Sequence, residues 1–298
     1  LMESWEFPSD TYAVRSHLAG RGVDPDADLL VAHPRPGSTM LETGAIEALL
    51  EQQGEEIALI CMSAVNYYTG QLLDLERITA AAHRHGCLAG FDLAHAAGNV
   101  PLRLHEWGVD FAVWCSYKYL NAGPGAVAGA FVHERHGNAA DTPRLAGWWG
   151  NDPATRFRMH LNETFTPRPG ADGWQLSNPP VLALAPLVAS LAIFDEAEIP
   201  RLRDKSHRLT GYLEYLIDRI PGSPFEIITP RDPDARGCQL SLRVKRGGRT
   251  LFDRLQAGGV LGDFREPDVI RLAPVPLYNS FTDVWRAGQV LEAVSPLP

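Results

Sequence analysis

The feature that most constrains this chain is the stretch from Gly90 to Gly125, where two apolar runs of about strand length each lead into a reactive polar residue. Asp92 closes the first run, and Lys118 lies just past the second. In an open α/β sheet, ligands bind beyond the carboxyl ends of the strands. A carboxylate and an amine delivered there are placed for chemistry, the first as a fixed anion and the second as a nucleophile once it is partly desolvated.

Strand-like apolar runs alternate with segments of helical periodicity through the first half of the chain, which favours a mainly parallel sheet with right-handed crossovers. The predicted strands span residues 29–32, 57–63, 88–92, 111–116 and 126–133, and the predicted helices span residues 12–20, 41–52 and 75–85. Ser9 or Asp10 is expected to cap the first helix, because a side-chain oxygen there can accept from free backbone N–H groups. Gly86 is expected to end the third helix.

The second half of the chain predicts a separate unit. Residues 135–180 are rich in Trp, Gly, Pro and Arg and indicate a long functional excursion, and residues 181–197 predict a strongly apolar helix. Beyond it, predicted helices at 201–220, 250–257 and 281–293 interleave with predicted strands at 225–228, 239–244, 260–264 and 269–272. We therefore predict a large α/β domain over residues 1–184 and a smaller C-terminal α+β domain over residues 185–298.

Composition narrows the class of function. The formal net charge is −9 and no long basic run occurs, so neither nucleic acid nor a membrane surface is an expected partner. No apolar run reaches the roughly 18 residues of a membrane span, and the first ten residues lack the pattern of a secretory signal. The four cysteines are widely spaced without a CxxC motif, which favours free thiols in a cytoplasmic protein: Cys61, Cys87, Cys115 and Cys238.

Several other kinds of site are not indicated. His83 and His85 lie two residues apart on a predicted helix and point to different faces, so they make a poor metal pair, and no metal ion is expected. No GxGxxG motif follows a strand, and neither a P-loop nor a GxSxG motif occurs.

Lys118 and Asp92 each have an ordinary alternative. A lysine is usually a surface residue, but Lys118 lies between Tyr117 and Tyr119 and precedes a turn rich in small residues, which is typical of a Schiff-base lysine. Asp92 either caps the segment that follows it or serves as a buried anion that keeps a heterocyclic nitrogen protonated. His95, three residues later, either supports Asp92, covers the ring, or is structural.

Two further motifs are candidates for ligand binding. The segment Phe7-Pro8-Ser9-Asp10 is either a turn that caps a helix or a site where Phe7 faces a planar cofactor and Asp10 adds a second carboxylate. Arg271 ends a short apolar strand before a Pro-rich turn, where a guanidinium is either structural or clamps a substrate carboxylate.

A family resemblance extends from about Phe7 into the last helix. It is carried by the blocks FPSD, NYYTGQ, GFDLAHAAGNV, HEWGVDFAVWCSYKYLNAGPG, GAFVHERH, GWWG, SNPP, GYLEYLI, RGCQLSL and RLAPVPLYNSF. Their order and spacing resemble kynureninase, a pyridoxal 5′-phosphate (PLP) enzyme of the aspartate-aminotransferase fold, called fold type I. The resemblance implies hydrolysis of L-kynurenine, or its 3-hydroxy form, to anthranilate or 3-hydroxyanthranilate and L-alanine, in tryptophan catabolism and NAD biosynthesis.

The resemblance also implies roles for individual residues. Lys118 would bind PLP covalently and act as the base, and Tyr117 would donate a proton. Asp92 would pair with the pyridine nitrogen, supported by Asp10 and His95. Phe7 would stack on the ring, as part of a cofactor-binding block formed by Phe7, Pro8, Ser9 and Asp10. Ser63 and Tyr117 would hold the phosphate, Trp148 and Asn178 would line the cofactor and substrate pocket, and Arg271 would bind the substrate α-carboxylate. Residues of this kind can come from a partner subunit, so a homodimer with a composite active site is expected.

Kynureninases carry a long segment upstream of FPSD, whereas six residues precede Phe7 here. That segment includes a Leu-Thr pair at the phosphate. One alternative function is therefore a catalytically impaired remnant that binds the cofactor or only dimerises. A cysteine desulfurase or another relative of class V aminotransferases is the second alternative.

Overall fold

The computed structural model describes residues 1–139 and 141–295. In the first half of the described chain the strands are β1 (Met2–Glu3), β2 (Val31–Ala32), β3 (Leu59–Ser63), β4 (Leu88–Asp92), β5 (Phe111–Trp114) and β6 (Gly129–Val132). The helices there are α1 (Pro8–Gly20), α2 (Pro25–Asp28), α3 (Thr43–Gln53), α4 (Leu75–Arg84) and α5 (Glu134–Gly137). Short 3₁₀ turns occupy Gly54–Glu56, Trp148–Gly150, Arg156–Leu161 and Ala171–Trp174.

The principal sheet has the order β3-β4-β5-β6, with β3, β4 and β5 parallel and β6 antiparallel. The N-terminal strand β1 pairs with β2 and also lies along β3, since the Leu1 amine donates to the Leu59 carbonyl at 2.7 Å and Cys61 N–H donates to the Leu1 carbonyl at 2.9 Å. The prediction of a mainly parallel α/β sheet is therefore confirmed.

The sheet core follows from the apolar runs of its strands. Ile60, Met62, Ala89 and Phe91 are buried, and α4 packs its apolar face beside them. Asp74 caps α4 by accepting from the Arg77 N–H. As expected, Gly86 follows the end of this helix with a positive φ of 77°, a conformation that costs glycine little.

The second half contains a four-stranded antiparallel sheet of order β7-β8-β10-β9. Its elements are α6 (Val181–Ala197), α7 (Ile199–Asp218), β7 (Phe225–Ile227), the 3₁₀ turn Pro233–Ala235, β8 (Leu240–Val244), α8 (Gly248–Ala257), β9 (Asp263–Arg265), β10 (Val269–Leu272) and α9 (Phe281–Val294). A separate apolar core joins α7, α8 and α9 to this sheet. The proposed boundary after residue 184 falls within α6 and stays a prediction.

The start of α1 corrects the sequence prediction. The helix begins at Pro8 rather than Tyr12, and its N-cap residue is Phe7, so Ser9 and Asp10 lie in the first turn and do not cap it. Proline is favoured at this position because its φ suits a helix and it has no N–H to satisfy. The Asp10 carboxyl is thereby free to face the sheet edge.

Helix α6 is apolar on nearly every side, yet only Ser190 and Phe194 are buried in it. Val181 is 71% exposed, Leu182 is 90% exposed and Val188 is 66% exposed. A search of the described residues finds no helix with the length and apolar character needed to cross a bilayer. The exposed face of α6 is therefore an apolar surface that the rest of the described chain leaves uncovered.

Candidate active site

A cavity of about 420 Å³ lies between the carboxyl edge of the principal sheet and the antiparallel sheet. The first half of the chain contributes Phe7, His95, Tyr117 and Lys118 to its wall, and the second half contributes Asp263, Arg265, Arg271 and Tyr278. The two sheets therefore enclose one site, and Lys118 and Arg271 belong to the same cavity.

Three carboxyl groups meet at the end of β4. Oxygen atoms of Glu6, Asp10 and Asp92 lie within 4.8 Å of one another. Asp92 also accepts from the Ala94 N–H at 2.7 Å, so it caps the following turn as well as joining this cluster. The interpretation of Asp92 as a cap is thus confirmed, and its role as an anion for a heterocyclic nitrogen stays a prediction.

Burial keeps this carboxyl cluster partly protonated. Burial, followed by the charge and hydrogen bond of Asp92, raises the pKa of Asp10 to about 6. Burial also raises the pKa of Asp92, against a hydrogen bond from Ala94 and the charge of Lys118, and burial raises the pKa of Glu6 to about 7. Among the described residues, no donor hydrogen-bonds the buried Oδ2 of Asp10. A cationic group placed here would be strongly favoured.

Lys118 lies in a tight turn after β5. Ala122 N–H donates to the Ser116 carbonyl, Asn121 N–H donates to the Lys118 carbonyl, both at 3.0 Å, and Asn121 has a left-handed φ of 55°. The Lys118 amine lies 5.6 Å from the centre of the Phe7 ring. The turn therefore holds the amine in the cavity opposite the segment that carries Asp10.

His95 lies beneath the same turn. Its ring contacts the Tyr119 ring edge-on with 5.7 Å between centroids, and its buried Nδ1 has no hydrogen-bond partner in the part of the chain that the structure describes. Burial, and then the charges of Lys118 and Arg271, lower the pKa of His95 to about 3. His95 is therefore neutral at physiological pH and carries a free polar atom.

Arg271 on β10 is 10% exposed and is held by two acceptors. It donates to the Tyr67 carbonyl at 2.6 Å and forms a close ion pair with Asp263. Its buried Nε has no partner among residues 1–139 and 141–295. Arg271 therefore lines the cavity with its position fixed and retains one buried N–H without a partner.

The structure does not bring every candidate residue to this cavity. Ser63 is buried and donates its hydroxyl to Glu6, while Pro8 and Ser9 lie exposed in the first turn of α1. Trp148 contacts the rings of Trp149 and Phe157, Asn178 is exposed beside Ser177, and neither Trp148 nor Asn178 lines the cavity in this chain. Tyr117 lines it and is 54% exposed.

Sequence reasoning missed several residues of the site. Glu6 directly precedes Phe7, and Tyr67 belongs to the NYYTGQ block, but neither shows a local signal of a function. Asp263 and Arg265 are two residues apart, so a predicted strand here indicates that they share a face. Their contact with Arg271 requires the register of β9 against β10, which the sequence does not display.

Comparisons with known proteins agree in sequence and in fold. A family profile described as the kynureninase C-terminal domain matches residues 202–291. The kynureninase of Myxococcus xanthus (strain DK1622) is 56% identical over 292 residues, which cover 98% of this chain and 68% of that protein.

All four cysteines are free thiols, as predicted.

Solved structures match nearly the whole chain. An apo cysteine desulfurase from Thermococcus onnurineus NA1 has a TM-score of 0.78 at 14% identity, covering 99% of this chain and 72% of that chain. C-DES with glycine covalently linked to its PLP cofactor has a TM-score of 0.81 at 18% identity, covering 100% of this chain and 74% of that chain. These likenesses show the fold of PLP-dependent fold type I enzymes, as predicted, and at such low identity they show the fold alone. The sequence identity goes further, and the chain belongs to the kynureninase family.

Proposed function

We propose that this chain hydrolyses L-kynurenine, or its 3-hydroxy form, to anthranilate or 3-hydroxyanthranilate and L-alanine, with PLP as cofactor. The observation that carries the proposal is the single cavity shared by Lys118 and Arg271, with the Asp92–Asp10 pair behind it. Family membership supplies the identity of the reaction, and the cavity supplies an amine and a guanidinium that can bind a carboxylate. Asp92 and Asp10 do not line the cavity, but they lie close enough to Lys118 for its charge to act on both.

The residues present fit PLP on physical grounds. Burial raises the pKa of Asp10 and Asp92 in spite of the charge of Lys118, and a protonated pyridine nitrogen would place a second cation beside them. When bound, PLP withdraws electrons from the substrate and so stabilises negative charge on its carbon atoms. Asp92 would hold the ring nitrogen protonated, Asp10 and the neutral His95 would support it, and Phe7 would cover the ring.

Lys118 and Tyr117 are the proposed catalytic residues. The Lys118 amine would anchor the cofactor and, once freed by the substrate amine, would take the α-proton. Tyr117 adjoins Lys118 on the cavity wall and would act as the proton donor. Arg271, which lines the cavity, would bind the substrate α-carboxylate.

The proposed phosphate contacts are the least completely formed part of the site. Ser63 and Tyr117 are the proposed phosphate ligands, and Pro8 and Ser9 remain proposed members of the cofactor-binding block. Ser63 now donates to Glu6, so contact between its hydroxyl and a phosphate needs an exchange of that hydrogen bond. The raised pKa of Glu6, about 7, means that this carboxyl is readily protonated when the exchange occurs.

A homodimer is the proposed assembly. The uncovered apolar face of α6 supports an interface there, because burial of that area from water is favourable. Trp148 and Asn178 lie outside this chain's cavity, and we propose that they line the cavity of the partner subunit. We also propose the cytoplasm as its compartment, which the four free thiols support.

The test is a purified full chain mixed with PLP and then with substrate. We expect visible absorbance that borohydride removes, and anthranilate fluorescence on addition of L-kynurenine but no sulfide release from cysteine. Lys118→Ala should lose the borohydride-sensitive absorbance, whereas Lys245→Ala, at an exposed position, should keep it.

Two outcomes point elsewhere. Sulfide release without anthranilate would identify a cysteine desulfurase, although the chain shares only 14% identity with the one of known structure compared above. A chain that folds and associates but takes up no PLP would be a catalytically impaired remnant. Survival of the absorbance in Lys118→Ala would show that the lysine assignment is wrong.

A further inference from the structure

A network of two arginines and one carboxylate occupies the substrate side of the cavity. Asp263 on β9 is the direct cross-strand partner of Arg271 on β10. Arg265 lies two residues after Asp263, so both side chains project from the same face of β9. The register of one hairpin therefore brings the three charged groups together.

Asp263 is the carboxylate that both arginines share. Arg265 donates from Nε to Asp263 at 2.9 Å, and Arg271 forms its close ion pair with the same Oδ2. Both guanidinium groups also lie near the Tyr67 ring, at 5.7 Å for Arg265 and 5.9 Å for Arg271. The Tyr67 carbonyl accepts from the other end of Arg271. Arg271 is thus fixed at two points, through Nη1 and Nη2, and its buried Nε has no partner among the described residues.

The charges of this network match one incoming carboxylate. Two guanidinium groups against one carboxylate leave a single positive charge in excess. Asp263 is itself partly exposed, with 44% of its side chain accessible, whereas Arg271 is nearly buried. A long arginine without a fixed partner samples many rotamers, and holding it in advance reduces the entropy that binding must overcome.

We infer that Asp263 is a positioning residue, which holds Arg271 and Arg265 so that the guanidinium of Arg271, on the cavity wall, meets the α-carboxylate of the substrate. The inference rests on the proposed role of Arg271 in substrate binding. As a positioning residue, Asp263 acts through Arg271 on recognition of the carboxylate and leaves the chemical step alone.

The kinetic test compares L-kynurenine with its α-carboxamide in Asp263→Asn. We expect KM for L-kynurenine to rise about tenfold, because a charge-assisted hydrogen bond to Arg271 is lost, with kcat changed much less. The α-carboxamide should be used about equally by variant and wild type, and Asp263→Glu should recover part of the loss. Asp253→Asn, which breaks an exposed pair with Arg249 on α8, is the matched control and should behave as wild type.

An equal rise in KM for L-kynurenine and for its α-carboxamide would mean that Asp263 has only a structural role, and it would overturn the inference. A fall in KM would also overturn it, because Asp263 would then compete with the substrate for Arg271.

A binding measurement separates this inference from the proposed function. In the ¹⁵N-labelled chain, the Nε–H resonance of Arg271, assigned by its loss in Arg271→Lys, should shift when acetate is added. Asp263→Asn should need about tenfold more acetate for the same shift. If wild type cleaves no kynurenine, the proposed function fails while this titration still decides the role of Asp263. Equal or tighter acetate binding in Asp263→Asn would contradict it.

Discussion

Ser63 and Asp92 are partners at the last shared register position of β3 and β4, and each holds one carboxyl group from the N-terminal segment. Ser63 donates to Glu6 through both its backbone N–H and its hydroxyl, and a carboxyl oxygen of Asp92 lies within 4.8 Å of one from Asp10. The edge of the sheet therefore contacts residues 6–10 at two points. This segment places the Phe7 ring 5.6 Å from the Lys118 amine, so the register of β3 and β4 helps to determine the geometry of the site.

Asp92 and Asp10 should contribute unequally to catalysis. Asp92→Asn should lower kcat for L-kynurenine about 100-fold, because a neutral amide holds a ring nitrogen protonated far less well. Asp10→Asn acts through Asp92 and should cost about tenfold. Steady-state kinetics with saturating PLP, and the PLP affinity of each variant, provide the measurement. Activity of Asp92→Asn close to wild type would show that Asp92 is only a turn cap.

The cofactor-free protein should lose stability as the pH rises from about 4.5 to about 8 through Glu3. Burial, with repulsion from Glu6, raises the pKa of Glu3 to about 8 against an ordinary value of 4.5. Since the folded state keeps this proton while the unfolded chain releases it, folding is penalised increasingly across that interval. Glu3→Gln should flatten the dependence, measured by urea unfolding at several pH values.

Glu55→Gln changes an exposed carboxyl and is the control for the Glu3 measurement. A pH profile of Glu3→Gln that overlays the wild-type profile would mean that Glu3 does not retain its proton in the folded state. Glu6 and Asp10 have pKa values raised in the same direction, so a residual slope is expected in the variant.

Asp110 should stabilise the fold at neutral pH. Burial alone would raise the pKa of Asp110, but hydrogen bonds from His136, the Ala89 N–H, His83 and Arg135 together lower it to about 2. This stabilisation is complete at pH values above the ordinary aspartate pKa of 3.8, and it is lost as the pH falls through about 2. Asp110→Asn should cost about 3 kcal/mol of unfolding free energy at pH 7, because it leaves buried donors and a cation without their anion.

Glu134→Gln is the control for Asp110. It removes an exposed pair with His105, whose side chains are 67% and 60% accessible, and should change the unfolding free energy by less than about 0.5 kcal/mol. Equal effects of the two substitutions in urea unfolding would contradict a special role for Asp110.

Gly90 in β4 should not tolerate a methyl group. A Cβ built there lies 2.1 Å from Cζ of Phe111, its parallel neighbour in β5. Gly90→Ala must displace the ring and should cost about 2 kcal/mol. Gly44→Ala in α3 meets nothing within 4 Å and should be neutral or slightly stabilising. Thermal unfolding of both variants checks the pair, and an unchanged Tm for Gly90→Ala would mean that Phe111 moves freely.

The elements predicted best from sequence are those bounded by abrupt changes in polarity. The predicted bounds of β4, α6 and β10 agree with the structure because each apolar run ends at a charged, proline or glycine-rich segment. Lys118 and Asp92 were found for the same reason, since they end or follow such runs. The start of α1 was missed because Pro8 was interpreted as part of a turn rather than as a first helical residue.

What local pattern cannot show is pairing across the chain. The Glu6–Ser63 contact joins residues 57 positions apart, and the Asp263–Arg271 pair depends on strand register. Neither Glu6 nor Asp263 has a distinctive neighbourhood in the sequence. Both become visible only when the strands are aligned, which is why the sequence predicted Asp92 and Asp10 but neither Glu6 beside them nor the support of Arg271 by Asp263.

In the proposed homodimer, the uncovered face of α6 ties the stability of this chain to its concentration. A partner that binds the folded state and not the unfolded state adds stability in proportion to the logarithm of its own free concentration. With a second copy as that partner, the temperature of unfolding rises as the solution is made more concentrated and falls on dilution. The amount of protein in the cell then sets how much of it is folded.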